Sequence, residues 1–214
     1  MTNQTSTAIN TPDTVEQVLA VPVSEIPFNG DGFHKANIAG VEALLNSGKT
    51  VFLPRPEAEL DTTHKQLIPY SILSYQGKVL VYERGGKGGE SRLHAKLSVG
   101  IGGHINPIDG GDGAFDLQGY ENAVLRELKE ELSFDYNFAG RSIRGFINDN
   151  SNPVGQVHLG VVEVFELKSD VASPLEPAIV NPRFVDISEL HSLRERLEGW
   201  SQIALDNIDS LLSA

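Results

Sequence analysis

No cysteine occurs in the 214 residues, which excludes disulfide staples, zinc–thiolate centres and thiol nucleophiles. Basic residues are scarce, with 17 Lys and Arg against 29 Asp and Glu and a formal net charge of −12. That balance excludes non-specific capture of a nucleic acid polymer, whose affinity comes from basic side chains neutralising phosphates. A phosphate-bearing ligand would need a divalent cation or a local cluster of cationic side chains to approach such a chain. Long apolar runs are missing too. None nears the roughly 18 residues that cross a bilayer, so no membrane partner is expected. The first ten residues are uncharged and mostly polar, unlike a secretory signal, and a cytoplasmic protein is expected. What is present, 40% apolar and 21% charged residues, suits one globular domain with a small appendage.

Along the chain, residues 1–16 are rich in Thr, Ser, Asn and Gln and read as a disordered tail. Residues 17–65 carry a helix over Ala36–Leu45, ending at Gly48, and a short strand over Thr50–Leu53. This portion is too small to need its own core and reads as an N-terminal cap on the main domain, residues 66–214. The main domain opens with two β-rich runs, Leu67–Tyr75 and Lys78–Arg84, joined at Gln76-Gly77 in a hairpin. A strand over Leu97–Gly103 and a Gly/Asp loop over Asn106–Asp116 lead to a helix over Gln118–Leu132. Strands follow near Ser142–Asn148, Gln156–Leu167 and Arg183–Asp186, then helices over Ser188–Leu197 and Ser201–Leu212. Strands flanking a helix, with helices closing the chain, predict a mixed α/β sandwich.

The chemistry sits on the helix over Gln118–Leu132. At 3.6 residues per turn, Val124, Leu125, Leu128 and Leu132 form an apolar stripe. Glu127, Glu130 and Glu131 fall at i, i+3 and i+4 on an adjoining face. Three carboxylates beside a buried stripe raise one another's pKa unless a cation is present. A hard divalent ion resolves this, because Mg²⁺ takes oxygen ligands and leaves positions for substrate phosphates. Arg126 reaches Glu130 at i, i+4. Upstream, Gly102-Gly103 end a strand where paired glycines let the backbone pass close to a ligand and present its carbonyls.

These residues resemble the box of the Nudix (MutT-like) hydrolase family. Gly103, five residues, Asp109, then Arg126-Glu127-Leu128-Lys129-Glu130-Glu131 are similar to the family's Gly, five residues, Glu, seven residues, Arg-Glu-aliphatic-x-Glu-Glu-x-Gly-aliphatic. Three departures stand out. Asp109 replaces the family Glu, Asp109 precedes Arg126 by 17 positions where the family has 8, and Ser133 replaces Gly. The excess lies in the glycine-rich stretch Ile108–Leu117, where a loop grows at small entropic cost. The resemblance implies a Nudix-like α/β/α sandwich with a mixed sheet over about residues 66–205. It also implies a pyrophosphohydrolase, in which water attacks phosphorus in a nucleoside diphosphate linked to another moiety. Carried over by position, Glu127, Glu130 and Glu131 would hold Mg²⁺ or Mn²⁺ with the Gly102 carbonyl. Glu127 or Glu130 would act as general base, with Arg126 in the catalytic group. The partner would be a small nucleoside-diphosphate-type molecule, and a homodimer is allowed by analogy. A reading from another class is a Nudix-like module that binds a nucleotide or sugar phosphate without hydrolysing it.

In the glycine-rich stretch 82–92, Arg84, Lys87 and Arg92 surround exposed backbone N–H groups suited to a phosphate, although a solvated hairpin loop accounts for the same residues. His104 either touches substrate or is a hydrogen-bonded structural histidine, and His158 reads as core or pocket wall. Gly48-Lys49-Thr50 follows a helix instead of opening one, so it is not a Walker loop. No G-x-S-x-G elbow marks a serine hydrolase.

Overall fold

The spine of the molecule is β4 (His64–Tyr75), whose residues from Lys65 to Ser74 are all buried. A computed structural model describes residues 15–85, 96–111 and 115–213. Along one edge β4 pairs in parallel with β10 (His158–Glu166), from Gln66 to Ser74. Its other edge is shared by three antiparallel partners in succession. β1 (Gln17–Pro22) meets its start, β7 (Gly100–Gly102) its middle and β5 (Lys78–Arg84) its end. β9 (Gly140–Asn148) and β2 (Gly32–Lys35) extend the sheet beyond β10. β12 (Ile179–Val185) flanks β5, while β3 (Val51–Pro54) pairs β1 and β6 (Leu97–Ser98) pairs β5. Two short strands, β8 (Leu132–Ser133) and β11 (Ser173–Pro174), form a separate ladder.

Alternation along β10 sorts the core into two layers. Leu159, Val161 and Phe165 face one cluster, together with α1 (Ile38–Leu45) and α3 (Leu117–Glu131). Val162 and Val164 face the other, beneath α5 (Ile187–Ser192), α6 (Gly199–Asp206) and α7 (Ile208–Leu212). The result is an α/β/α sandwich around a mixed sheet, in agreement with the sequence reading. Tyr120, Ala123, Val124 and Leu128 are the fully buried side of α3. Each large apolar side chain so buried contributes about 1.5–3 kcal/mol. Leu125 of the expected stripe is only half-buried. Among the described residues no helix is long and apolar enough to cross a membrane.

Several boundaries differ from the sequence reading for local reasons. The first helix starts at Ile38, because the Asn37 side chain caps it by accepting from the Gly40 N–H. The run over Leu97–Gly103 is broken at Val99, so β6 and β7 pair different neighbours. Within it, a Cβ on Gly100 would lie 2.2 Å from the Tyr70 ring, so only glycine lets β7 pass there. The strand expected from Gln156 is preceded by a one-turn helix, α4 (Pro153–Gln156), capped by Asn152. Residues 17–54, expected in the N-terminal cap, place β1, β2 and β3 in the same sheet as the main domain. Their register was unreadable locally, because each pairs with a strand far along the chain. Residues 1–14, most of the expected tail, lie outside the described residues.

Candidate functional site

α3 begins where the Asp116 side chain accepts from the Gly119 N–H, and it runs to Glu131. Its buried stripe sets the rotation of the helix, and that rotation turns Glu127 toward Gly103 at the end of β7. A Cβ added to Gly103 would fall 2.1 Å from the Glu127 carboxyl carbon. The absence of a side chain at position 103 is thus what allows the carboxylate to lie against the backbone passage.

The longer first half of the box does not disturb this arrangement. Pro107–Gly110 form a 3-10 turn closed where the Asp109 N–H donates to the Asn106 carbonyl. The Asp109 carboxylate is 3% exposed and accepts from Arg126 Nε at 2.8 Å and Nη2 at 3.0 Å. It also accepts from the Asn106 N–H at 2.8 Å. Asp109 therefore pairs with Arg126 although 17 positions separate them. Residues 112–114 lie outside the described set.

Arg126 is the hub of the site. Besides Asp109 it donates to Glu127 at 2.7 Å, to Glu130 at 3.2 Å and to the His104 carbonyl at 2.9 Å. These bonds, first those to Asp109, raise its pKa further, so it is a fixed cation that orients carboxylates. Its donors are committed to protein groups, which makes it a positioning residue. Glu127 has a raised pKa because burial outweighs the bonds from Arg126. Glu131 is pushed up to about 7, by burial first and by the Glu127 charge second. Arg126, shared with Asp109, and the Arg84 charge near Glu131 leave the three glutamates short of positive charge. An all-oxygen donor set with surplus negative charge fits Mg²⁺ or Mn²⁺.

Gly102 and Gly103 also line a cleft of about 720 Å³. Arg55, Arg84, Lys96 and His104 bring positive or imidazole groups to its wall. Trp200, the single tryptophan, lines it too and stands edge-on to Tyr70 with ring centroids 5.5 Å apart. Beneath them Tyr70 Oη donates to Glu198 at 2.9 Å and meets Ser201 Oγ at 2.8 Å. That buried chain joins β4 to the start of α6.

Of the residues expected to bind substrate, Arg84 and His104 line the cleft. Lys87 and Arg92 lie outside the described residues. His104 is pushed down to about 4 by burial and by the nearby Arg55 guanidinium. Its Nδ1 lies 3.4 Å from Glu16, which also holds Arg55 at 2.9 Å. His158, read as core or pocket wall, is buried and also lines the cleft. The sequence reading missed Glu16, Arg55, Glu59, Glu198 and Trp200. Arg55, Glu59, Glu198 and Trp200 reach the cleft from elements remote along the chain, Glu16 contacts Arg55 and His104, and none carries a local motif.

No protein-family model matches the chain. Protein YmaB of Bacillus subtilis (strain 168) is 32% identical over 204 residues, covering 91% of this chain and 98% of YmaB. Among solved structures, Tm1382, a candidate Nudix hydrolase, is 28% identical with a TM-score of 0.76, over 90% of this chain and 98% of its own. The Nudix domain of Shewanella oneidensis NrtR, solved with ADP ribose, is 13% identical with a TM-score of 0.53, over 70% of this chain and 89% of its own. The likeness to NrtR is one of fold.

Proposed function

The chain belongs to the Nudix family, and from that premise we propose a divalent-metal-dependent hydrolase of phosphoric anhydrides. Its substrate class is a nucleoside diphosphate linked to a second moiety. The observation that carries this reading is the face of α3, where Glu127 lies against Gly103, shares the Arg126 guanidinium with Glu130, and adds to burial in raising the pKa of Glu131. In this reading Glu127, Glu130 and Glu131 hold Mg²⁺ or Mn²⁺ with the Gly102 carbonyl. Bound there, the cation would neutralise charge on the diphosphate and acidify water.

The chain's own groups then divide the work. Arg126 fixes Glu127 and Glu130 in place, itself braced by Asp109. Glu127 or Glu130 accepts a proton from the attacking water as its oxygen bonds to phosphorus. The bridging P–O bond breaks, and its electron pair leaves with the departing phosphate group. Arg84, Lys96 and His104 line the cleft in which the rest of the substrate lies. The cleft wall sets Arg55, Arg84 and Lys96 beside Glu59, Asp149 and Glu198, so a divalent cation is what reconciles an anionic substrate with a net charge of −12.

The test is a hydrolysis screen of nucleoside-diphosphate compounds with Mg²⁺ or Mn²⁺, using Glu131→Gln as the control. Cleavage of at least one compound, reduced about a hundredfold or more in the variant, is expected, as for loss of a group that stabilises developing charge. Equal turnover by Glu131→Gln would overturn the assignment of the glutamates. A ligand-induced rise in melting temperature with no product from any compound would assign the protein to the non-hydrolysing binders instead.

A further inference from the structure

Three donors of the kind that bind transition metals converge on the cleft wall, apart from the α3 carboxylates. Glu59 follows α2 (Arg55–Ala58), His104 follows the Gly102-Gly103 passage, and His158 opens β10. One ligand atom from each lies within 4.8 Å of those of the other two. The pairing of β4 with β7 and β10 brings the two histidines onto one wall. Their imidazole rings lie with centroids 6.3 Å apart and planes inclined by 34°.

The hydrogen bonds around the rings prepare them as ligands. His158 Nδ1 lies 2.7 Å from the Val154 carbonyl. A carbonyl only accepts, so Nδ1 carries the proton and Nε2 carries the lone pair. This is how a second hydrogen bond orients a metal-binding histidine. His104 Nδ1 faces the Glu16 carboxylate at 3.4 Å, which favours the same tautomer. The Glu59 carboxylate is engaged by Arg55 Nε at 3.4 Å, whereas Arg55 Nη1 holds Glu16 more closely at 2.9 Å. A cation at Glu59 would displace the weaker contact and leave Arg55 its stronger partner.

We propose that Glu59, His104 and His158 form a transition-metal site suited to Zn²⁺, distinct from the oxygen-only set on α3. Two imidazoles and one carboxylate are a zinc donor set, and imidazole nitrogen is what selects against Mg²⁺. All three residues line the cleft, so the remaining coordination position opens toward it. A dication bound by one carboxylate leaves net positive charge there, and a water or an anionic oxygen of a cleft ligand completes the shell. The α3 site would use a hard cation for chemistry, and this one would use a softer ion as an anchor.

The experiment uses the full chain, freed of metal by chelation and returned to buffer with excess Mg²⁺ to occupy carboxylate-only sites. Zn²⁺ is titrated while imidazole ¹H–¹⁵N signals are recorded, and bound zinc is counted after dialysis. About one zinc per chain is expected, with the His104 and His158 signals shifting and those of His34, His64 and His191 unmoved. Glu59→Gln and His104→Gln should each weaken zinc retention at least about tenfold, the scale seen even for groups that only orient ligands. Glu131→Gln should retain zinc as the unaltered chain does. Glu59 is partly exposed, so its variant carries the test even if His104→Gln fails to fold. Zinc held equally by Glu59→Gln, zinc lost in Glu131→Gln, or unmoved His104 and His158 signals would each overturn the proposal.

Discussion

Replacing Arg126 by Met keeps most of the side-chain volume and removes the guanidinium that joins Asp109, Glu127 and Glu130. The Asp109 side chain is 3% exposed and takes two of its hydrogen bonds from Arg126. Without them the buried carboxylate retains the Asn106 N–H. An uncompensated buried charge costs about 3–5 kcal/mol. In a chain of this size each kcal/mol moves the thermal midpoint by about 2–4 °C, so a fall of about 6–20 °C is expected. Urea unfolding followed by the fluorescence of Trp200 reads the same loss as a lower midpoint at unchanged slope. Adding Asp109→Asn to Arg126→Met removes the charge while keeping an acceptor for the Asn106 N–H. The double variant should be more stable than Arg126→Met alone, because the orphaned charge is gone. A loss below about 1 kcal/mol for Arg126→Met, or a double variant less stable than that single one, would refute the hub assigned to Arg126.

Glu131 binds its proton more tightly in the folded chain, near 7 against 4.5 when unfolded, so ionising it opposes folding and stability falls as pH rises from 4.5 through 7. The full penalty is about 3 kcal/mol, which solvent at a partly exposed carboxyl cuts to about 1–2 kcal/mol. In chelator at pH 8, Glu131→Gln should melt about 2–8 °C above the unaltered protein, with the gap nearly closed at pH 5. Equal melting at pH 8 would contradict this. A methyl group at Gly103 would meet the Glu127 carboxyl at 2.1 Å. Gly103→Ala should therefore lose about a hundredfold in turnover while circular dichroism stays native, and full activity would count against the contact. Arg84→Ala, on the cleft wall, should raise KM about tenfold with kcat little changed. A loss confined to kcat would place Arg84 at the reacting phosphorus instead.

What could be read without coordinates was what the chain encodes locally. The period of α3 put Glu127, Glu130 and Glu131 on one face beside an apolar stripe. The β4–β5 turn was legible because Gln76 and Gly77 both adopt positive φ, 49° and 77°, as a two-residue hairpin turn requires. Asp109 was harder. Its partner lies beyond an enlarged loop, and only the closed 3-10 turn shows that the pairing with Arg126 survives. The strands before residue 55 were unreadable as sheet members, because β1 finds β4 and β2 finds β9 through tertiary packing. The convergence of Glu59, His104 and His158 was hidden for the same reason, since spacing along the chain carries no trace of it.

The parallel pairing of β4 with β10 has a consequence for the order in which the molecule assembles. Gln66 waits for His158, about 90 residues later in synthesis, and closing so long a loop is slow compared with forming a hairpin. Until β10 emerges, Tyr120, Val124 and Leu128 of α3 lack the Leu159–Phe165 side of their core, and a helix of 15 residues is marginal in water without such packing. The nascent chain thus carries a complete set of carboxylates with no scaffold to hold them. The sheet beneath α3 closes only when a single strand, β10, inserts between β4 and β9, and the cleft wall is finished later still, when Glu198 and Trp200 arrive with α6.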